Sequence, residues 1–522
     1  MAARSAGAGF TTGFTTRTDV LVVGAGPTGL TLALWLQRLG TRFRIIDTTP
    51  AAAPYSRALG VHARTLEFDR QLGFADEVVN GGVVMSAINL WVNRRKTAHV
   101  TLADLGADLT PYPFVLDFAQ DQHERLLIDQ LESGRARVER RTKLVALDER
   151  DDGLLATLEC PDGRTDQCLA QYVAGCDGAH SAVRALTGVG FAGGSYERIF
   201  YVADVDASGP AVNGELHVDL GEVDLLAVFA MKGEHHVRLV GTLPRETLPT
   251  DRQLSFDDVS RRLIEQLGLD IRRVHWFSTY HVHHRVATTF RHGRAFLLGD
   301  AAHIHSPVGA QGMNTGIGDA VNLSWKLASV LRGSRPDLLD TYGVERMAFA
   351  RRLVATTDRA FTIATKPGRV AVVVRTRVFP VVVGSLFRVA PVRRWLFHTV
   401  SQIGIQYRAS AISVGRAGHV HGGDRLPWVP LNGHGADNFA PLRSLDWQVH
   451  VYGEADPQVS DACRRLGLTL NNFAWSPAAR RAGLARDATY LVRPDGYVAM
   501  AAESDGATHL ADYFETRGIR LH

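Results

Sequence analysis

Residues 299–323 read GDAAHIHSPVGAQGMNTGIGDAVNL, and this stretch decides the fold. It follows a short strand-like run, 294–298, and its second residue is the carboxylate Asp300. A glycine-rich loop with Pro307 comes next, and an amphipathic segment without glycine after Gly318 predicts a helix. Glycines let backbone N–H groups at a helix start approach anionic oxygens, and a carboxylate accepts hydrogen bonds from hydroxyl groups. The stretch therefore predicts a site for a ligand that carries both a polyol chain and a phosphate.

The N-terminal segment predicts a second half of such a site. Its parts are an apolar strand, a glycine-rich turn, a helix and a second strand, at 19–23, 24–29, 30–39 and 42–46. Asp47 closes the second strand, 23 residues after Gly24. This order and spacing form the dinucleotide-binding fingerprint, in which Gly24, Gly26 and Gly29 approach a pyrophosphate and the acid accepts from a ribose. An acid at this position favours FAD or NAD over NADP.

A third segment, 172–184, reads YVAGCDGAHSAVR and again predicts a strand, an acidic turn and a helix start. The three segments, in this order, resemble the single-component flavoprotein aromatic hydroxylases, which include para-hydroxybenzoate hydroxylase, phenol hydroxylase and the aromatic-polyketide hydroxylases. The resemblance covers residues 18–415. It implies non-covalent FAD, with NADPH or NADH as electron donor. It also implies that molecular oxygen, activated as a flavin C4a-hydroperoxide, hydroxylates a small phenolic or polycyclic aromatic substrate.

Two other functions remain open from the residues. The same flavin could act as a nucleophilic peroxide, which would give Baeyer–Villiger oxygen insertion into a related substrate. A flavin-binding protein without oxygenase turnover would share the cofactor motifs. Oxygen uptake during NADPH consumption separates both oxygenase functions from the third.

The resemblance implies contacts along the length of the cofactor. It places Arg57 at the pyrophosphate, Gln120 beside the ribityl chain and Asp300 on the ribityl hydroxyls. Asp177 belongs to the acidic turn of the third segment, and His180 matches a histidine that contacts the nicotinamide donor near the flavin.

At the reactive ring, the resemblance implies contacts from the 299–323 stretch. Pro307 would lie next to the isoalloxazine and, together with Asn314, act in catalysis. Gly312, Met313 and Asn314 would present backbone N–H groups to the flavin N1–C2 edge and stabilise the anionic reduced ring.

The residue that activates the substrate is not identified. A phenolate reacts faster than a phenol with electrophilic oxygen, so a base or hydrogen-bond acceptor is expected. The phenol hydroxylase branch implies an aspartate at the position of Leu59, and this chain lacks it. The candidates by region are Tyr201, Tyr280, His217 and His281.

Metal and nucleic-acid functions are disfavoured. His303 and His305 lie close to Asp300, but packing beside the loop is the favoured interpretation, and we predict no metal site. A formal net charge of +4 is small for 522 residues and gives no indication of nucleic acid. The four cysteines have no metal-ligand spacing, which favours reduced thiols in a cytoplasmic protein.

We predict an α/β protein built from several parts. They are a Rossmann-like FAD-binding domain (18–80, 116–190 and 285–350), an inserted antiparallel β-sheet substrate domain (81–115 and 191–284), a helical region (351–415) and a C-terminal thioredoxin-like domain (422–522). The apolar stretch 370–390 contains arginines, which favours a buried helix pair or a homodimer surface over membrane contact. Cys463 is the lone cysteine of the C-terminal domain, which excludes dithiol chemistry there.

Overall fold

The computed structural model describes residues 15–521 except 93, 103–104, 221–224, 244–253, 307, 366–388 and 432–434. Its strands are β1 Thr15–Val23, β2 Phe43–Ile46, β3 Gly60–Val61, β4 Val83–Met85, β5 Ala87–Val92, β6 Arg95–Thr101, β7 Val115–Asp117, β8 Val138–Glu139, β9 Lys143–Arg150, β10 Gly153–Glu159, β11 Thr165–Gly175, β12 Phe191–Ser208, β13 Leu216–Leu220, β14 Leu225–Ala230, β15 His236–Thr242, β16 Asp270–Ala287, β17 Arg291–His292, β18 Ala295–Leu297, β19 His303–Ile304, β20 Val414–Ala417, β21 Val420–His421, β22 Gln448–Tyr452, β23 Thr469–Phe473, β24 Thr489–Val492 and β25 Val498–Ala502. Its α-helices are α1 Pro27–Arg38, α2 Ala63–Leu72, α3 Ala75–Gly81, α4 Gln120–Ser133, α5 Ala182–Leu186, α6 Arg261–Gln266, α7 Gln311–Leu331, α8 Asp340–Thr365, α9 Ala390–Val400, α10 Pro457–Leu466, α11 Pro477–Arg481 and α12 Gly506–Arg517. The predicted helix pair or dimer surface at 370–390 falls almost entirely on residues outside this description.

The first sheet has parallel strands at its centre, in the order β17-β18-β11-β1-β2-β8. β1 pairs in parallel with β11 and β2, and β11 pairs in parallel with β18. Helix α1 connects β1 to β2 and begins at Pro27, earlier than the apolar period indicated, because proline suits the first helical position. Since β1, β11 and β18 are parallel, the turns that follow them lie at one edge of the sheet.

The second sheet is mostly antiparallel, in the order β19-β16-β12-β15-β14-β13-β5-β6. The long strands β12 and β16 form its centre. One face carries Tyr201 and Val205 into an apolar core with Leu263 of α6. The opposite face carries Asp204, whose partner Arg238 reaches the carbonyl oxygen of Ala58. This second face is therefore turned towards the turns of the first sheet.

The third sheet lies in the C-terminal part of the chain and has the order β21-β20-β25-β24-β22-β23. β22 is parallel to β23 and antiparallel to β24, which is antiparallel to β25. Helix α10 connects β22 to β23, and α12 follows β25.

Two sequence-based boundaries in the C-terminal half were wrong. The expected helical region 351–415 is helical only to Val400 within its described residues, and β20 already belongs to the third sheet from Val414, where it pairs with β25. The apolar residues of 490–500 predict a single strand from the sequence, but the structure has the hairpin β24–β25 there. Gly496, with φ of 75°, supplies the turn, because glycine adopts that left-handed conformation without strain.

The tip of this hairpin joins the third sheet to the helices of the first. Arg493 donates hydrogen bonds to both carboxylate oxygens of Glu345 in α8, at 2.9 and 3.0 Å. Lys326 of α7 donates to the same carboxylate at 2.8 Å. The three side chains are completely buried. Buried charges of this kind are tolerated because each has a partner of opposite sign.

Among the helices that the structure describes, none combines the length and the apolar character that a membrane span requires.

Candidate active site

The three motifs of the sequence meet at one edge of the first sheet. A side chain on Gly24, where φ is 101°, would overlap the carbonyl oxygen of Cys176, and one on Gly29 would overlap the carbonyl oxygen of Gly24. Gly26 precedes α1 and has open space where a side chain would point. Only glycine permits this close approach, which leaves the turn and the start of α1 open to a phosphate.

Asp47 braces this glycine turn. Its Oδ2 accepts a hydrogen bond from the backbone N–H of Ala25 at 2.7 Å, and its Oδ1 accepts from the N–H of Thr49 at 2.7 Å. Burial raises the pKa of Glu124, and the nearby charge of Asp47 contributes in the same direction, while a hydrogen bond from Gln120 opposes it. Gln120 donates to Glu124 at 2.7 Å, which places both at the Asp47 side of the site.

The third segment supports the loop that contains Asp300. The Oδ2 of Asp177 accepts from the N–H groups of Ala182 and Val183 at 2.6 and 3.1 Å. Its carboxylate is thus occupied by the start of its own helix, α5. Arg184 from the same helix donates to the carbonyl oxygen of Ala301 at 2.9 Å. The segment has a bracing role in this geometry, while the exposed His180 remains at the surface of the site.

Asp300 lies in the short turn Gly299–Ala301 that follows β18, at the same edge as the glycine turn. Its side chain is accessible to solvent, yet desolvation by the surrounding protein raises its pKa against the opposing charges of His303 and Arg57. An accessible but desolvated carboxylate lies inside a cleft, where it can accept hydrogen bonds from a bound polyol.

His303 holds the Asp300 loop in place. Its Nε2 lies 2.7 Å from Asp319 Oδ2, which also accepts from the N–H of Gly299 at 3.0 Å. Arg346 donates to the other oxygen of Asp319 at 2.6 Å. His303 and Asp319 are each 1 % exposed. His303 is therefore packed beside the loop, and no sequence pattern indicates its partner Asp319 or Arg346.

The start of α7 offers uncapped backbone N–H groups. Its N-cap residue Ala310 has left-handed geometry, with φ of 52°, and no side chain caps the helix. The first-turn N–H groups, including those of Gly312 and Met313, are among the four at a helix start that have no acceptor within the α-helix itself. They also carry the positive end of the helix dipole. This end of the helix can therefore hold an electron-rich group.

The side chain of Asn314 is committed to the protein itself. Its amide nitrogen donates to the carbonyl oxygens of Gly60 and Ala310 at 2.9 and 2.8 Å, and its oxygen accepts from the N–H of His62 at 2.9 Å. It therefore fixes the start of α7 against the 60–62 segment, and only its backbone is left for a ligand. Pro307, the other residue expected to act in catalysis, lies outside the described residues.

Arg57 joins the cleft to the second sheet. Its guanidinium lies 5.4 Å from the ring centre of Tyr280, and its NH2 group donates to Ser278 Oγ at 3.3 Å. Burial raises the pKa of Tyr280 to about 12, against the opposing charge of Arg57. The charge of Arg57 also opposes the raised pKa of Asp300. Arg57 therefore lies between the cleft and the second sheet, and not only beside the glycine turn.

The other candidates for substrate activation lie elsewhere. Tyr201 stacks on Phe277 in the core beneath α6. His217 accepts a hydrogen bond from Trp91 at 2.9 Å, and burial lowers its pKa to about 4. His281 is exposed. Of the four tyrosine and histidine candidates, only Tyr280 contacts Arg57 and so borders the cleft.

An apolar wall covers another part of the same face of the second sheet. It includes Ile88, Val100, Leu216 and Phe229 from the sheet, packed with Met85 and Phe397. Apolar side chains of this kind suit the rings of an aromatic ligand. The sequence predicted the sheet but not this clustering, because the contributing strands lie far apart in the chain.

Three charged residues at or beside this face had no signal in the sequence. Arg238 is fully buried and donates to both oxygens of Asp204 at 2.7 and 2.8 Å. Burial raises the pKa of the neighbouring Asp117 to about 8, against the opposing charge of Arg238. Charged residues on alternating strands usually face solvent, so no pattern in the sequence indicates that these three are buried.

The assembled site fits FAD. The glycine turn that side chains would close suits the pyrophosphate, Asp47 lies at the ribose side, Asp300 faces the cleft, and the uncapped start of α7 suits an electron-rich ring edge. No cysteine or metal is needed for these contacts.

Comparisons with known proteins agree with this assignment. A family model described as "FAD binding domain" matches residues 17–357. The chain is 32% identical over 506 residues to a flavin-dependent monooxygenase from Mycobacteroides abscessus, covering 93% of this chain and 97% of that protein. It is 32% identical over 528 residues to the 6-methylpretetramide 4-monooxygenase of Streptomyces rimosus, covering 94% and 92%.

A solved structure shows the same architecture. The anhydrotetracycline hydroxylase from Streptomyces rimosus superposes with a TM-score of 0.78 at 27% identity, covering 96% of this chain and 99% of that chain. With the matched FAD-binding model and relatives over nearly the full length, the chain belongs to the FAD-dependent monooxygenases of the aromatic hydroxylase family.

Proposed function

We propose that this enzyme uses NAD(P)H and molecular oxygen to hydroxylate a phenolic or polycyclic aromatic substrate. The observation that carries the proposal is that the apolar wall and the Arg57–Tyr280 pair lie on the same face of the second sheet. The wall suits aromatic rings, and the pair suits a ring hydroxyl. The relatives named for 6-methylpretetramide and anhydrotetracycline support a substrate of this class.

FAD, when bound and reduced, supplies the activation of oxygen. The chain supplies the binding and orientation. The glycine turn and α1 would hold the pyrophosphate, Asp47 the ribose, and Gln120 and Asp300 the ribityl chain. The first turn of α7, at Gly312 to Asn314, would face the ring edge, with Pro307 expected beside it.

We assign substrate orientation to Arg57 and Tyr280. With a pKa of about 12, the Tyr280 phenol stays protonated at neutral pH and can donate a hydrogen bond to a substrate oxygen. The guanidinium of Arg57 favours the ionised form of a nearby substrate phenol, since an opposite charge lowers the pKa of an acid. Together they would take the role of the aspartate that the phenol hydroxylase branch implies at the position of Leu59.

A cluster of basic side chains supports the use of NAD(P)H. The pKa of His283 is lowered by burial and then by the neighbouring charges of Arg285, His281 and His180. These groups therefore lie close together, with His180 exposed at the surface of the site. A group of cationic and polar side chains suits the phosphates of a nicotinamide dinucleotide.

The domain division is also part of the proposal. The first sheet would be the Rossmann-like FAD-binding domain, and the second sheet the inserted substrate domain. The order β23-β22-β24-β25, with one parallel and two antiparallel pairings, supports a thioredoxin-like fold for the third. The four free cysteines support a cytoplasmic location.

NAD(P)H oxidation by the FAD-loaded enzyme tests the function. Oxygen uptake and the position of the new oxygen in the product, found by NMR, are measured across a panel of phenols and polycyclic aromatics. We expect substrate-dependent NAD(P)H oxidation and a new ring hydroxyl, with Arg57→Ala and Tyr280→Phe raising KM while the exposed His509→Ala does not. An ester or lactone product would instead indicate Baeyer–Villiger insertion.

A further inference from the structure

We propose a binding site for a divalent transition-metal ion, zinc in the first place, formed by Asp206, His236 and His275 on the second sheet. Each of these residues offers one ligand atom, and the three atoms lie within 4.8 Å of one another. The Nε2 of His275 is 2.8 Å from Asp206 Oδ2, and the two imidazole rings are 5.2 Å apart between centres. Two imidazoles and a carboxylate form a ligand set that zinc and its neighbours in the first transition row prefer.

The strand pairing explains how three separate parts of the chain meet here. Asp206 in β12 lies directly opposite His236, the first residue of β15. On the other side of β12, the register shifts where Val205 pairs with Val274 and Asp204 pairs with Trp276. His275 is the extra residue at this irregularity. A bulge of this kind redirects a side chain, and here it brings His275 to the same face as the other two ligands.

A buried nitrogen without a partner points independently to a ligand. The Nε2 of His236 is inaccessible to solvent and has no hydrogen-bond partner within the described residues. An unsatisfied buried ring nitrogen costs free energy, and a metal ion would satisfy it. In the absence of a metal, the other two residues are paired with each other.

The accessibility of the cluster suits a site with an open coordination position. The His275 and Asp206 side chains are 27% and 35% exposed, so an ion and a water molecule can enter. Arg273 faces Asp206 in the strand register but is itself exposed, and it can turn away from a bound cation. Two neutral imidazoles and one carboxylate would leave a bound divalent ion with a net charge of +1.

The position of the cluster distinguishes it from the flavin site. Asp206 and His236 lie two residues beyond the Asp204–Arg238 pair on the same strands and the same face. An ion there would link β15, β12 and β16 without contact to the cofactor motifs. The inference therefore does not depend on the proposed reaction.

Calorimetric titration of the FAD-loaded enzyme with ZnCl₂, in a non-chelating buffer, tests the proposal. We expect one saturable zinc ion per chain and at least about tenfold weaker binding in each of Asp206→Asn, His236→Ala and His275→Ala. His509→Ala, on the exposed side of α12, controls for histidine content, and His283→Ala controls for the other histidine-rich surface. Flavin content and the thermal unfolding midpoint without zinc report whether each variant folds.

The wild-type protein gives a second readout that needs no variant. Zinc should raise its thermal unfolding midpoint in a concentration-dependent way, because an ion that binds the folded state stabilises it, whereas magnesium, which prefers oxygen ligands, should not. Absence of saturable zinc binding by the wild type would overturn the proposal. So would triad variants that fold and bind zinc as tightly as the wild type, or loss of binding in His283→Ala alone.

Discussion

Asp117 illustrates at the scale of one residue how burial sets charge beside the cleft. Its side chain is buried, and its Oδ1 has no hydrogen-bond partner among the described residues. Desolvation raises its pKa to about 8, with the charge of Arg238 opposing the shift. The unfolded chain releases this proton at about pH 4, while the folded protein keeps it to about pH 8.

The stability of the protein should therefore depend on pH through this residue. Between pH 4 and 8 the folded state binds more protons than the unfolded state, so the free energy of unfolding falls as pH rises. An asparagine side chain does not titrate in this pH range, so its substitution removes this pH dependence. Relative to the wild type, Asp117→Asn should be more stable at pH 8 than at pH 5 by at least about 1 kcal/mol. Urea unfolding at both pH values measures this, with the exposed Asp337→Asn as control. An equal difference in the free energy of unfolding between Asp117→Asn and the wild type at pH 5 and pH 8 would contradict the raised pKa of Asp117.

Asp300 is the residue on which retention of the cofactor should depend most directly. Asp300→Ala removes the acceptor for the ribityl hydroxyls. A hydrogen bond to a charged group contributes about 1.5–3 kcal/mol, so FAD affinity should fall roughly tenfold to a hundredfold. Fluorescence titration of the apoenzyme with FAD gives the dissociation constant. The exposed Asp512→Ala, on α12, should bind FAD as the wild type does. Full flavin occupancy of Asp300→Ala through gel filtration would show that the cofactor is held elsewhere.

At the scale of elements, helices α1 and α7 pack through small residues. A side chain on Gly316 of α7 would overlap Thr28 Oγ1 in α1, and one on Gly299 would lie 2.7 Å from the same oxygen. This close packing brings the glycine turn and the Asp300 loop together. Gly343 of α8 has open space where a side chain would point, and it offers a matched comparison.

We expect Gly316→Ala to destabilise the protein by about 1–3 kcal/mol, because overpacking of a tight contact forces the helices apart. Thr28→Ala removes the obstructing oxygen, so the double variant should recover part of the loss. Gly343→Ala should instead stabilise by up to about 1 kcal/mol, since alanine favours the helix more than glycine does. Denaturant unfolding of the wild type, the two single variants and the double variant forms a double-mutant cycle. Gly343→Ala is measured beside it as the control. Additive effects of the Gly316 and Thr28 substitutions would refute direct contact.

Local sequence patterns predicted the positions of helices and strands well, but they predicted less well which elements pack against each other. The run at 19–23, the glycine turn and Asp47 predicted β1, α1 and β2, because each depends on local period and backbone geometry. The segment 490–500 was expected to be one strand because apolar residues lie on both sides of its turn. That turn is buried, since Arg493 and Asp495 pair with other charged groups, and a buried turn lacks the polar pattern of a surface loop.

The same distinction applies to the site. Asp47 and Asp300 follow strands directly, so their place at the edge of the sheet could be predicted. Asp117 lies near Arg238, and Arg57 near Tyr280, through packing between segments far apart in the chain, which no local pattern records. Asn314 was expected to act in catalysis, but its side chain binds the backbone instead. Spacing along the chain indicates which segment bears a residue, and tertiary packing decides what the side chain contacts.

At the scale of the whole molecule, the C-terminal sheet is part of the structural core. The hairpin β24–β25 places Arg493 between Glu345 and Asp495, and the chain also contacts α2 through Arg425 and Glu67. Cys463 is buried and free, so this region offers no dithiol. Its contribution is structural, and we expect that removal of the third sheet would leave Lys326 and Glu345 without their cover.

Arg493→Met should weaken the entire protein and not only its C-terminal part. The substitution leaves the carboxylates of Glu345 and Asp495 buried without their common partner, and breaking a buried pair costs about 3–5 kcal/mol. Arg408→Met, which removes an exposed ion pair with Asp424, should cost less than about 1 kcal/mol. On heating, the rise in FAD fluorescence reports release of the cofactor from the first sheet. The loss of circular dichroism reports unfolding of the whole chain. In Arg493→Met the temperatures of both transitions should fall together, because the contacts of Arg493 and Lys326 with Glu345 join α7 and α8 to the third sheet. These two helices flank the Asp300 loop. An unchanged FAD-release temperature in a folded Arg493→Met protein would mean that the C-terminal sheet unfolds independently.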